Sequence, residues 1–138
     1  MANLTHGDAE DLLRRLRTAL EARDVDAGMG LYAPDADVRT DPFADHIRGD
    51  LAIRAWWNQM AAGRANVEFD VERSWAVGPT ALAAWHGAWT RRATAERIRA
   101  SGFLTLEVGD DGRVVRERHW TIERTVGRDR TFEPEPAS

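Results

Sequence analysis

Apolar residues follow two rhythms along this chain, helical in the first half and alternating in the second. Between Asp8 and Ala22, the positions Ala9, Leu12, Leu13, Leu16, Ala19 and Leu20 recur at three- and four-residue spacing. That spacing predicts a helix with one stripe turned toward a core. Thr5 and Asp8 are spaced as a helix-starting cap, and residues 1–7 read as a short arm. Asp24 can cap a second, shorter helix over Val25 to Ala33, which Pro34 ends. Gly28 and Gly30 weaken that helix by about 1 kcal/mol each relative to alanine, so their missing side chains point to close packing. Asp37 to Thr40 forms a short extended piece, and Asp41-Pro42 opens a loop. A third helix is expected over about Asp50 to Ala62, with Ile53, Trp57 and Met60 on one side, Trp56 adjacent and Gly63 as the stop.

From there the period becomes two. Val67, Phe69, Val71, Trp75 and Val77 mark a half-buried strand, and Gly78-Pro79 turns the chain. Further strands are expected over about Thr80 to Arg91, Glu96 to Val108 and Arg113 to Arg124, the last after the hairpin signal Gly109-Asp110-Asp111-Gly112. Residues 125–138 are polar, contain Pro134 and Pro136, and read as a loose tail. Helices segregated against such strands define an α+β domain over residues 8–124, with a curved antiparallel sheet on three N-terminal helices.

The cost of burying arginine decides which face of each strand turns inward. In the third long strand Ile98, Ala100, Gly102, Leu104 and Leu106 face the helices, because the opposite face carries Arg97 and Arg99. The preceding strand sets Ala83, Trp85, Gly87 and Trp89 on one face. On the last strand the even face would bury Arg116 and Arg118, whereas the odd face, Val115, Glu117, His119 and Thr121, costs one carboxylate and one imidazole. The odd face is therefore expected inward unless a bulge reverses it, which places Glu117 and His119 in a mostly apolar cavity. Trp120, Ile122, Phe103 and Leu82 are left on the outer face, an apolar strip expected to pair two copies of the chain.

Composition narrows this picture. A length of 138 residues fits one domain, and 43% hydrophobic with 30% charged residues is the balance of a soluble globule. The sequence has no cysteine, no apolar run near membrane-spanning length and no leader pattern, so a cytoplasmic protein is the simplest expectation. A net charge of −4 with scattered arginines lacks the footprint of a nucleic-acid binder. Six tryptophans against one tyrosine mean that much of the core or of a pocket wall is indole.

The run EARDVDAGMGLYAPDADVRTDPFADHIRGDLAIRAWW and the ending GFLTLEVGDDGRVVRERHW resemble the nuclear transport factor 2-like superfamily, and within it the SnoaL-like cyclases and isomerases. The resemblance covers roughly residues 8 to 124 and implies a cone-shaped half-barrel around one pocket. Ketosteroid isomerases carry a general-base aspartate before a proline, and Asp41-Pro42 matches that dipeptide, one residue further along the chain. Their oxyanion partners fall near Leu16 and Gly102, and the acids of limonene-epoxide-hydrolase-like enzymes fall near Trp85 and His119, so neither set is present.

Glu117 and His119 are candidates for an acid–base pair, since imidazole titrates near neutrality and suits proton abstraction beside a carbonyl. The alternative is a structural hydrogen-bonded pair. Asp41 is a candidate base at the pocket mouth, or else simply a turn residue, and His46 could serve as a lid residue. Trp85, Trp89, Trp57, Ile98, Ala100, Gly102 and Thr121 are expected to contact the substrate. No spacing calls for a metal, and no phosphate-cradling glycine loop implies an organic cofactor. The expected function is cyclase or isomerase chemistry on an apolar carbonyl compound, polycyclic or terpenoid-like. The alternatives are a non-catalytic ligand-binding or dimerisation domain, and epoxide-hydrolase-like hydration.

Overall fold

Thr5 and Asp8 close the capping box that their spacing predicts: each side chain accepts the other's backbone N–H at 3.0 Å. The computed structural model describes residues 3–134. Residues 1–2 of the expected arm and 135–138 of the expected tail, Pro136 included, lie outside the described residues. From the cap runs α1 (His6–Ala22), which buries Ala9, Leu12, Leu13, Leu16 and Ala19 along one stripe. Asp24 accepts the Ala27 N–H at 3.0 Å and starts α2 (Val25–Met29).

That second helix is shorter than its pattern suggests. It stops at Met29, and the chain is already extended in β1 (Tyr32–Arg39) where a helix to Ala33 was expected. One glycine inside a five-residue helix and a second at its C-cap leave little intrinsic stability, and the extended strand gains a ladder of backbone bonds instead. Gly28 has a packing role. A Cβ there would lie 2.6 to 2.7 Å from three ring atoms of Trp57, so only glycine admits the indole.

After β2 (Ile47–Arg48) comes α3 (Asp50–Gly63), which buries Ile53 and Trp57. Four long strands follow: β3 (Arg64–Val77), β4 (Thr80–Arg91), β5 (Glu96–Val108) and β6 (Val114–Arg128). The sheet order is β2-β1-β6-β5-β4-β3. All neighbours are antiparallel except β1 and β6, which run parallel, so the sheet is mixed rather than antiparallel throughout. The reason is connectivity: β1 reaches β6 by a crossover through the rest of the fold, not by a hairpin.

Register shifts lie within β3 and between β5 and β6, and such bulges bend a sheet into an open cone. One bulge corrects the expected facing of β6. Glu107 pairs with Arg116 but Val108 pairs with Val114, so Val115 is the extra residue. Val114, not Val115, is buried there, and the odd face turns inward only from Glu117 onward. The last strand also runs four residues past its expected end at Arg124: Glu96 pairs with Arg128, and the Asp129 N–H donates to the Ala95 carbonyl at 2.7 Å. On the outer face Trp75, Phe103 and Trp120 form a ladder with centroids 6.0 and 6.3 Å apart, and Ile122 is exposed. No helix among the described residues is long and apolar enough to cross a membrane.

Candidate active site

The inner concave face of the sheet, α1 and α3 enclose a cavity of about 150 Å³. Its deep wall is apolar, formed by Leu16, Trp57, Phe69, Trp85 and Leu104. Into it β6 projects Glu117, His119, Thr121 and Glu123, two residues and about 6–7 Å apart per step. Exposure rises along this row from Glu117, which is buried, to Glu123, which is exposed, so Glu117 lies at the closed end.

A buried carboxylate needs partners, and Glu117 has two. The Tyr32 hydroxyl donates to its Oε1 at 2.8 Å, and His119 Nε2 lies 2.6 Å from its Oε2. Behind Tyr32 stands Trp57, whose Nε1–H donates to the phenol oxygen at 3.2 Å. Burial, reinforced by the charge of Glu117, holds the Tyr32 phenol well above the usual tyrosine range, so it remains a neutral donor. The result is one chain, Trp57 to Tyr32 to Glu117 to His119, each group fixing the next. Trp56 adds an edge contact to the imidazole, centroids 6.3 Å apart. On the far side of the strand, Arg118 donates to the carbonyls of Glu117 and Asp37 at 2.8 and 3.1 Å, which clamps β6 against β1.

With Nε2 against a carboxylate, the bonding favours a proton on Nε2 and a lone pair on Nδ1. Among the described residues no group hydrogen-bonds to that Nδ1. His119 thus offers a free basic nitrogen with a carboxylate behind it to stabilise the imidazolium once a proton arrives.

Glu117, His119, Trp85, Trp89, Trp57 and Thr121 all line the cavity. Asp41 does not. Its carboxylate is exposed and accepts the Phe43 N–H at 2.7 Å, the turn chemistry of an Asp-Pro loop, so it does not join Glu117 and His119. His46 is likewise turned away, with Nδ1 2.8 Å from both oxygens of Asp37. Burial would raise the Asp37 carboxyl, but bonds from His46 and Arg48 and the charge of Arg118 outweigh it and hold the group ionised. Ile98 and Ala100 are buried in the core and are not among the lining residues. Gly102 serves the sheet instead: a Cβ there would fall 2.3 Å from the Trp120 carbonyl oxygen, so glycine lets β5 and β6 close.

Sequence reasoning missed Tyr32, Trp56, Met60 and Arg64 among the residues around the cavity. For Tyr32 a signal existed. Ala36, Val38 and Thr40 alternate, and the same parity carried backward reaches Tyr32.

The family model for the SnoaL-like domain matches residues 13–117, most of the chain. The chain belongs to the SnoaL-like family. Among curated proteins none matches this SnoaL-like chain. Among solved structures, it is similar to SalBIII, described as an epoxide hydrolase/cyclase-like enzyme in pyran ring formation in the polyether salinomycin. The TM-score is 0.78 at 14% identity, covering 87% of this chain and 97% of that one. An LEH-like epoxide hydrolase of M. tuberculosis gives a TM-score of 0.70 at 22% identity, over 84% of each chain. A computationally designed 17-OHP binder gives 0.74 at 15% identity, over 85% of this chain and 98% of that one. At these identities the likeness is one of fold. The fold thus carries cyclase-like and epoxide-hydrolase-like enzymes and a ligand binder alike.

Proposed function

We propose that this SnoaL-like domain is a small-molecule enzyme that moves a proton on an apolar carbonyl compound, with His119 as the base and Glu117 as its orienting carboxylate. The single observation that carries this reading is the buried Tyr32–Glu117–His119 chain ending at a free imidazole nitrogen on the wall of an apolar cavity. His119 Nδ1 takes a proton from the carbon beside the carbonyl, and the electron pair moves onto the carbonyl oxygen. Returning the proton to another carbon completes an isomerisation. Attack of the enolate on a second carbonyl, with the proton delivered to the new alkoxide, completes a cyclisation. The cavity matches in size an engineered one that takes up benzene, which favours a single ring over a fused polycycle at the reacting end.

The test is deuterium uptake at the α-carbon of small cyclic ketones in D₂O, followed by NMR. Wild-type protein is expected to accelerate exchange, and His119→Ala and Glu117→Gln to lower the rate by about 10²–10⁴-fold while the fold is retained. Ketones that bind without exchange in wild type would support the ligand-binding reading. Exchange that survives in both variants would remove the pair from the chemistry.

Two copies of the chain are further proposed to pair through the outer sheet face. The aromatic ladder and exposed Ile122, Trp120 and Val126 support that pairing. Sedimentation of the wild type against Ile122→Arg tests it, since a dimer must split in the variant.

A further inference from the structure

The proton-transfer reading leaves the arginine of the cavity lining unused. Arg64, the first residue of β3, lines the cavity with its guanidinium stacked on Trp89, 3.9 Å from the ring centroid. Stacking fixes the plane of the fork and strips water from one face, while the five N–H donors lie in that plane and stay available at its edge. Among the described residues no acceptor takes a hydrogen bond from them; only the backbone carbonyl of Arg64 is engaged, by Arg23 at 2.9 Å. Nearby arginines are treated differently. Arg97 is bound to Glu68, Thr90 and the Asn66 carbonyl, and Arg118 to Asp37 and Glu117. A half-buried guanidinium with an uncommitted fork is costly unless something else completes it.

A second observation lies on the same wall. Trp85 is buried, and its indole N–H has no hydrogen-bond partner. The Trp85 N–H is sealed within the wall, so the Arg64 fork is the donor set that faces the cavity without an acceptor. The acids near Arg64 do not fill the need. Glu68 is held by Arg97, and Glu123, whose charge Arg64 feels, is exposed and makes no hydrogen bond with it. Burial pushes the Arg64 guanidinium down from its ordinary pKa, with Glu123 acting the other way.

Resting on the proton-transfer reading for the reacting end, we infer that the ligand is a small apolar carboxylic acid. Its carboxylate docks on the fork of Arg64 at the open end, and its apolar body runs past Trp89 and Trp85 toward His119. Spacing supports an elongated ligand. From His119 to Glu123, the acid whose charge Arg64 feels, is two steps of the strand, roughly 13 Å, so the row along β6 is longer than one ring.

The probes are 3-phenylpropanoate and its uncharged mimic 3-phenylpropanamide, titrated by calorimetry into wild type, Arg64→Gln, Arg64→Lys and Glu123→Gln. Wild type is expected to bind the acid roughly tenfold or more tightly than the amide. Arg64→Gln should erase that preference with amide binding retained, which also certifies the fold. Arg64→Lys should keep part of it, and Glu123→Gln should raise it by removing a competing charge. Equal binding of acid and amide, a preference that survives Arg64→Gln, or no binding of either probe would each overturn the assignment. Because the readout is binding without turnover, its failure is distinct from a failure of the proton-transfer reading, which rests on deuterium exchange.

Discussion

Replacing Tyr32 with phenylalanine removes one oxygen atom and keeps the ring's shape, so its effect measures the hydrogen bonds alone. The hydroxyl donates to the Glu117 carboxylate at 2.8 Å and accepts from Trp57 Nε1 at 3.2 Å, all three residues being buried. A bond to a charged group contributes about 1.5–3 kcal/mol, and a buried N–H left without an acceptor costs about 1–3 kcal/mol. The two overlap in one variant, so the expected loss is about 2–4 kcal/mol. In a domain of this size that lowers Tm by about 6–16 °C. Thermal unfolding followed by circular dichroism reads the shift. A double-mutant cycle with Glu117→Gln should show coupling of about 1 kcal/mol or more, since the two side chains are in direct contact. A Tm shift within 3 °C of zero, together with additive variants, would refute the claim that this hydroxyl holds Glu117.

Gly28→Ala sets two effects against each other: alanine improves the helix by about 1 kcal/mol, whereas overpacking costs about 1–3 kcal/mol. Trp57 cannot retreat without leaving Tyr32, so net destabilisation is expected in urea unfolding, and a more stable variant would contradict the contact. Tyr32 is the only tyrosine, and all 19 basic residues are arginine, so its ionisation can be followed by tyrosinate absorbance without lysine titrating alongside. Its folded pKa is raised, so the stability it contributes is present below the unfolded value of about 10 and lost as pH rises beyond it. Tyrosinate should therefore appear only as the protein unfolds, and ionisation near 10 in the folded protein would contradict the buried placement. Asp41→Asn should leave deuterium exchange unchanged, because asparagine keeps the turn and the side chain lies outside the cavity; a large loss would return Asp41 to the chemistry.

The parts legible in the sequence are those set by local periodicity and by the cost of burying charge. The stripe of α1 and its cap follow from spacing alone. The inward facing of Glu117 and His119 follows from comparing one carboxylate and one imidazole with two arginines. What escaped depends on distant pairing. Tyr32 was hidden because Val25 to Ala33 has helical spacing, while its strand state is stabilised by β6, some eighty residues away. The bulge at Val115 leaves no mark, since either valine suits a core. Thr125 to Arg128 hold one valine in a mostly polar stretch and read as tail, yet their pairing with β5 runs through backbone bonds that side-chain polarity does not display. Arg64 looked like an ordinary residue after a helix stop, and only the cavity gives its guanidinium meaning.

The parallel pairing of β1 with β6 also dictates when the site comes into being. Tyr32 and Glu117 are 85 positions apart, and the hairpins of β3, β4 and β5 can close without either of them. Contacts of such long range form late, after loop-closure entropy has been overcome by nearer pairings. The Tyr32–Glu117–His119 chain thus forms only once β6 is inserted between β5 and β1, and a nascent or truncated chain lacking that strand cannot assemble it. A bound ligand accordingly acts on the return journey: it slows unfolding and leaves the rate of folding almost untouched.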